Sequence, residues 1–258
     1  MIFDTHIHTD FSSDSKMLLI DALARAKVLG LGLITTEHMD LLYPQRDQFV
    51  FDVDQYFAAY NHYRGEQLLL GIEIGMQSQC LEENANIIKK NNFDYVLGSI
   101  HMVEGIDIYY DVFYEKRTKI ETYTRYFEAM ASCVKEYSFI DALGHIDYIA
   151  RYAKYEDTEI YYHEFQEVID DLLKHTIEND IVLELNTRRL GDRAVVKALT
   201  PIYKRYYELG GRLAIIGSDA HTQQDIGSHF KLAKEFMQQC HLQLVYFKNR
   251  RPEYMVEK

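Results

Sequence analysis

An α/β fold organised as a closed or nearly closed barrel of parallel strands is what this sequence predicts, and three observations predict it. Short β-type runs alternate with helix-length amphipathic stretches along the chain. Only three prolines interrupt it, and no Gly/Ser-rich linker, internal repeat or low-complexity tract divides it. Side chains able to bind metal recur at the same, carboxyl end of one strand candidate after another. With 258 residues, the expectation is a single domain over residues 1–258.

The strand candidates are residues 2–6, 31–36, 68–74, 95–100, 140–143, 182–186 and 213–217. Between them, apolar residues recur at three- and four-residue spacing, as in Leu18, Leu19, Ala22, Leu23, Ala26 and Leu29, or Phe165, Val168, Ile169, Leu172 and Leu173. That spacing makes one apolar face per helix, suited to packing outside a sheet. An eighth strand-like run, residues 242–247, finds no place in the scheme, and the basic residues after it, Lys248, Arg250 and Arg251, read as a solvated tail.

Composition narrows the function. A formal charge of −12 is the wrong sign for holding a polyanion such as nucleic acid, so any phosphate site must be local. Three scattered cysteines, Cys80, Cys133 and Cys240, form neither a CxxC pair nor a disulfide framework. No basic leader with an apolar run follows the first residue, and no stretch is apolar for about 18 residues. A cytoplasmic protein with no membrane partner is expected.

The chemistry collects at the strand ends. The first carries His6 and His8, two residues apart, so strand alternation points both imidazoles the same way. The next ends in Glu37-His38, the third in Glu73, the fourth in His101, the fifth in His145 and Asp147, and the seventh in Asp219 and His221. In a parallel barrel those ends share one face. Imidazole suits zinc and iron, and carboxylates can bridge two cations, so the mixture suits a multinuclear transition-metal site. His62, His163, His175, His229 and His241 fall in or beside predicted helices, away from that face.

The ordered motifs HxH, EH, GxE, GSxH, GHxD and SDAH resemble those of the PHP superfamily, named for polymerase and histidinol phosphatase, along nearly the whole chain. The resemblance implies a distorted (β/α)7 barrel and three divalent metal ions, with zinc, iron and manganese all compatible with the ligands. It also implies their distribution. His6, His8, Glu73 and Asp219 would bind the first; Glu73 would bridge to a second held by His101 and His145; His38, His221 and Asp14 would take the third. Some relatives carry histidine where this chain has Asp14, in the segment Phe11-Ser12-Ser13-Asp14-Ser15, and the alternative role there is an N-cap for a helix beginning near Ser15.

Within the superfamily that segment, Glu184-Leu185-Asn186-Thr187 and the chain length are most similar to the histidinol-phosphate phosphatases. The implied activity is hydrolysis of L-histidinol phosphate, a small-molecule phosphomonoester, to L-histidinol and phosphate, a step of histidine biosynthesis. A dianionic phosphate calls for a fixed fork of donors, for which Arg151, Arg188 and Arg189 are candidates. Asp219 and His221 are candidates for passing a proton to the leaving alkoxide. Two other readings stay open: a phosphoesterase acting on a nucleotide, an oligonucleotide end or phosphotyrosine, and a non-catalytic metal-binding domain.

Overall fold

The computed structural model describes residues 1–256. In chain order the elements are β1 (Ile2–Ile7), α1 (Leu19–Leu29), β2 (Leu31–Met39), α2 (Val53–Tyr60), β3 (Leu68–Gly75), α3 (Leu81–Lys90) and β4 (Tyr95–Ser99). A small hairpin, β5 (Met102–Val103) and β6 (Ile106–Asp107), precedes α4 (Lys119–Glu136), β7 (Ala142–Leu143), α5 (Tyr148–Tyr152) and α6 (Gln166–Glu178). The chain then runs through β8 (Val182–Asn186), α7 (Arg193–Leu209), β9 (Leu213–Gly217), α8 (Phe230–Gln239), β10 (Gln243–Lys248) and β11 (Arg251–Tyr254). All seven expected barrel strands are present. The fifth is reduced to Ala142–Leu143, whereas β1 and β2 run on to Ile7 and Met39. No helix among the described residues is long and apolar enough to cross a membrane.

The seven strands β1, β2, β3, β4, β7, β8 and β9 lie side by side and parallel. The first and last meet through a parallel bridge between Ile7 and Ala220, where the His8 N–H donates to the Ala220 carbonyl and the Asp219 N–H to the His6 carbonyl, both at 2.8 Å. That seam joins only at the carboxyl end. Lower down, β10 takes the free edge of β9, pairing Gln243 with Leu213 and Leu244 with Ala214, and β11 folds back antiparallel on it.

Alternation along the strands sorts the apolar residues into two clusters. The larger joins strand residues to the helices. The smaller has no helical member: Phe3, Ile34, Leu69, Tyr95, Val182 and Ile215 among others, closed by Val245 and Phe247 of β10. A cluster made of strand side chains alone, of opposite parity to those facing helices, is the barrel interior. The run at residues 242–247 is therefore the barrel floor. Nor are the residues after it a loose tail, because the Arg250 Nε donates to buried Asp141 at 2.6 Å and its main-chain N–H to the Asp94 carbonyl at 2.8 Å.

Following the same parity upward from the floor gives Ile34, Thr36, His38 on β2; Leu69, Gly71, Glu73 on β3; Leu97, Ser99, His101 on and just past β4; and Ile215, Gly217, Asp219 on and past β9. Each of these four strands thus carries an apolar bottom, a small middle and a ligand-type top. At Gly217 any Cβ would overlap both the His6 side chain and the Glu184 carboxylate, so glycine is required for the close approach.

Candidate metal centre

At the carboxyl end of the barrel, His6, His8, Glu73, His145 and Asp219 are buried, with His38 and His101 each 7% exposed. Their ligand-type atoms fall into four compact triads: His6, His8 and Glu73; His6, His145 and Asp219; His38, Glu73 and His101; His8, His38 and His221. Glu73 stands at the middle. Its Oε1 lies 3.0 Å from His145 Nε2 and 3.4 Å from His101 Nε2, while its Oε2 lies 2.9 Å from His38 Nδ1. Asp14 reaches the set from the loop after β1, its Oδ2 3.0 Å from His221 Nε2 and 3.5 Å from His38 Nε2. It is no helix cap, since α1 begins only at Leu19. All nine residues expected to bind metal are thus brought together, although His38 stands nearer Glu73, at 2.9 Å, than Asp14, at 3.5 Å. His62, His163, His175, His229 and His241 belong to none of these triads.

Neighbouring acceptors decide which way the imidazoles face. Glu184 accepts from His6 Nδ1 at 2.7 Å, and Asp40 accepts from His101 Nδ1 at 2.8 Å. The Asp219 carbonyl accepts from His221 Nδ1 at 2.9 Å. Ser12 donates its hydroxyl to Glu37 and accepts from His8 Nδ1 at 3.1 Å. With the Nδ1 atoms so committed, every one of these rings turns its Nε2 inward. His6 Nε2 and His8 Nε2 face each other at 3.0 Å, and His221 Nε2 faces the Asp14 carboxylate at the same distance. Acceptors this close need positive charge between them. The donor set therefore fits divalent cations, as does the buried His145 Nδ1, which has no hydrogen-bond partner.

The electrostatics are consistent with that demand. Burial would raise the Glu73 carboxyl, but His6, His101 and His38 around it hold it well below the usual carboxylate range. Burial acts the same way on Asp219 and is outweighed by Arg151 and His6. For His6 burial favours the neutral ring, yet Glu184, Glu73 and Asp219 lift it well above the ordinary imidazole value. His8 is pushed well below that value, first by burial and then by His38 and His221. Asp219 also adopts a left-handed backbone, φ 56°, an uncommon conformation for a residue with a Cβ.

Two joined cavities open above these residues. One, about 230 Å³, is lined by His145, Asp219 and His221 together with Arg151 and Arg188. The other, about 290 Å³, has aromatic walls, and the two share Asp14, His38, His101, Tyr148 and Tyr152. Arg151 has a largely buried side chain, with Nη1 2.5 Å from Asp219 Oδ2 and with Nε and Nη2 unpartnered. Arg188 is half exposed and donates to the Asp219 carbonyl at 3.3 Å. Arg189 lines neither cavity: it turns to Asp147, at 3.1 Å, and to Glu159. Both arginines lie in a turn just past β8, closed by the Leu190 N–H donating to the Thr187 carbonyl at 3.0 Å, and the turn sends their side chains apart.

Asp40, Glu184, Glu37 and Ser12 orient the site, yet a search for strand-end ligands does not assign them that role. Two of them carry a signal in the sequence: Glu184 has the parity of interior Val182, and Asp40 follows His38 by two. For Ser12 the partner is set only by the loop's path.

Comparison with known proteins agrees with this geometry. A "Probable histidinol-phosphatase" of Clostridium acetobutylicum is 49% identical over 98% of this chain and 100% of its own. The "Histidinol-phosphatase" of Lactococcus lactis is 30% identical over 84% of this chain and 83% of its own. The crystal structure of histidinol phosphate phosphatase from Lactococcus lactis, complexed with zinc, L-histidinol and phosphate, superposes with a TM-score of 0.90 at 25% identity, covering 98% of each chain. The PHP domain family model matches residues 4–188, a span that takes in every strand-end motif up to Arg188, and the chain belongs to the PHP domain family.

Proposed function

We propose that this protein is a metal-dependent phosphomonoesterase that hydrolyses L-histidinol phosphate to L-histidinol and phosphate. One observation carries the reading: a cavity of about 230 Å³ joins the histidine and carboxylate set to the two guanidinium groups of Arg151 and Arg188. Anion-binding forks beside a cation cage suit a phosphate monoester. The substrate is the one named for the relatives at 49% and 30% identity.

In this reading His6, His8, Glu73 and Asp219 would hold one divalent ion, Glu73, His101 and His145 would serve a second, and His38, His221 and Asp14 a third; zinc suits the donors, as do iron and manganese. Such ions supply positive charge at the phosphoryl oxygens and acidify the attacking water. Arg151 and Arg188 grip the phosphate, and Arg151 also holds the Asp219 carboxylate in place. Arg189 acts at one remove, tying Asp147 and Glu159 behind them. The leaving alkoxide takes up, through water beside Asp219 and His221, the proton that the attacking water gives up; Asp219, kept a carboxylate by Arg151, relays that proton.

Phosphate release from L-histidinol phosphate, simple alkyl phosphates, a nucleotide and a phosphotyrosine peptide, measured on metal-loaded protein, tests this. L-Histidinol phosphate is expected to have the highest kcat/KM. Equal turnover of the alkyl phosphates, or faster turnover of either rival, overturns the assignment.

A further inference from the structure

The aromatic cavity contains a carboxylate that nothing in the metal centre uses. Asp107, 8% exposed, lies on its wall. Its Oδ2 accepts from the Tyr43 hydroxyl at 2.8 Å and its Oδ1 from the Tyr109 main-chain N–H, also at 2.8 Å. Among the described residues no Lys, Arg or His nitrogen lies within 4.0 Å of it. The other acids on this wall are engaged, Asp14 with His221 and Asp40 with His101.

Its position is set by the hairpin that leaves the metal centre. β5 and β6 pair Met102 with Asp107, and the Ile108 N–H donates to the His101 carbonyl at 3.0 Å, so Asp107 stands beside the chain segment carrying His101. Around it are ring faces: Tyr43 packs on Phe49 at 4.6 Å, and Tyr109 on Tyr152 at 5.1 Å. A buried carboxylate without a cation is costly, and aromatic faces attract cations. Both features fit a positively charged group next to a phosphate held by Arg151 and Arg188.

We infer that Asp107, held by Tyr43, selects phosphomonoesters whose leaving group carries a positive charge. The identity of that group as the ammonium of L-histidinol rests on the proposed function; its charge does not.

Asp107→Asn tests this, because the amide keeps the shape: its oxygen can still accept from the Tyr109 N–H while its NH2 donates to the Tyr43 hydroxyl. Its kcat/KM is compared with that of the unaltered protein on L-histidinol phosphate, ethanolamine phosphate and glycerol 3-phosphate, and L-histidinol and inorganic phosphate are titrated calorimetrically. The expected result is a loss of about 10–100-fold on the two cationic substrates and in L-histidinol affinity, the scale of one charge-assisted hydrogen bond. Glycerol 3-phosphate turnover and phosphate affinity stay within about threefold. An equal loss on cationic and neutral substrates, or no loss on either, overturns the inference.

If the unaltered protein shows no preference for L-histidinol phosphate, yet Asp107→Asn still abolishes the advantage of ethanolamine phosphate over glycerol 3-phosphate, the proposed function fails and the inference stands. Should Asp107→Asn not fold, Tyr43→Phe, which leaves the carboxylate but removes its donor, is expected to narrow the same cationic preference, and an unchanged preference counts against the role.

Discussion

His6 and His8 turn their Nε2 atoms toward each other across 3.0 Å while both Nδ1 atoms are already committed, to Glu184 and to Ser12. A pair of imidazoles so arranged demands a positive charge between them. The nearby carboxylates Glu73 and Asp219, 3.5 Å from His8 Nε2, add to that demand. The barrel mouth is therefore arranged to bind cations before any substrate arrives.

Metal binding should consequently stabilise the fold. At a free metal concentration 100 times its Kd, one site adds about 2.7 kcal/mol, worth roughly 5–10 °C in Tm for a chain of this length. Calorimetric scans with and without a strong chelator, combined with elemental analysis, read the effect. An unchanged Tm in protein shown to have lost its metal would contradict it.

Glu184 acts through His6 and the His145 main chain, whose N–H donates to its Oε2 at 2.7 Å. Glu184→Gln should leave the protein folded and weaken metal binding by about 10–100-fold, the usual consequence of removing a partner that orients a ligand. Competition against a chromophoric chelator measures this. Wild-type affinity would show that His6 needs no such support.

Arg188 and Arg189 are neighbours in sequence with opposite surroundings. Arg188→Ala is expected to reduce kcat/KM by about 2–4 kcal/mol of transition-state binding, with KM raised. Arg189→Ala should cost about 1–3 kcal/mol of stability, because Asp147 and Glu159 lose their partner, with a much smaller effect on turnover. Steady-state kinetics and urea titration of both variants decide it, and the reverse pattern would exchange their roles.

Asp170 offers a pH test away from the metal centre. Its hydrogen bonds from Arg205 hold the carboxyl below the ordinary value, outweighing burial, and tie α6 to α7. A depressed carboxyl contributes stability that is complete above the unfolded value near 4 and is lost as pH falls through the folded value. Asp170→Asn should therefore destabilise by about 1–3 kcal/mol at pH 7, and the gap from wild type should shrink as pH drops below about 4. Urea midpoints across pH 3–7 test this; a gap that does not depend on pH would show that charge is not the source.

Much of this molecule was legible in its sequence because strand alternation is a strictly local rule. His38, Glu73, His101 and Asp219 sit on the parity of the interior residues below them, so they share a face once the strands are parallel. The run at residues 242–247 was not placeable for the converse reason: its apolar character shows that it is buried, while its partners, β9 and the floor cluster, come from all along the chain. Arg250 is the sharpest case, since charge alone suggests solvent and only the position of Asp141, more than a hundred residues earlier, makes it a clamp.

The sequence by itself determined the kind of fold and the end of the strands where histidines and carboxylates gather. Tertiary structure decided the rest: that Arg151 and Arg188 line the cavity while Arg189 turns away, that Asp40, Glu184 and Ser12 orient the imidazoles, and that Asp107 stands without a cation among aromatic rings. Backbone periodicity encodes which way a side chain leaves its own strand. Which partner it meets depends on loop paths and on distances between strands, and no local pattern carries those.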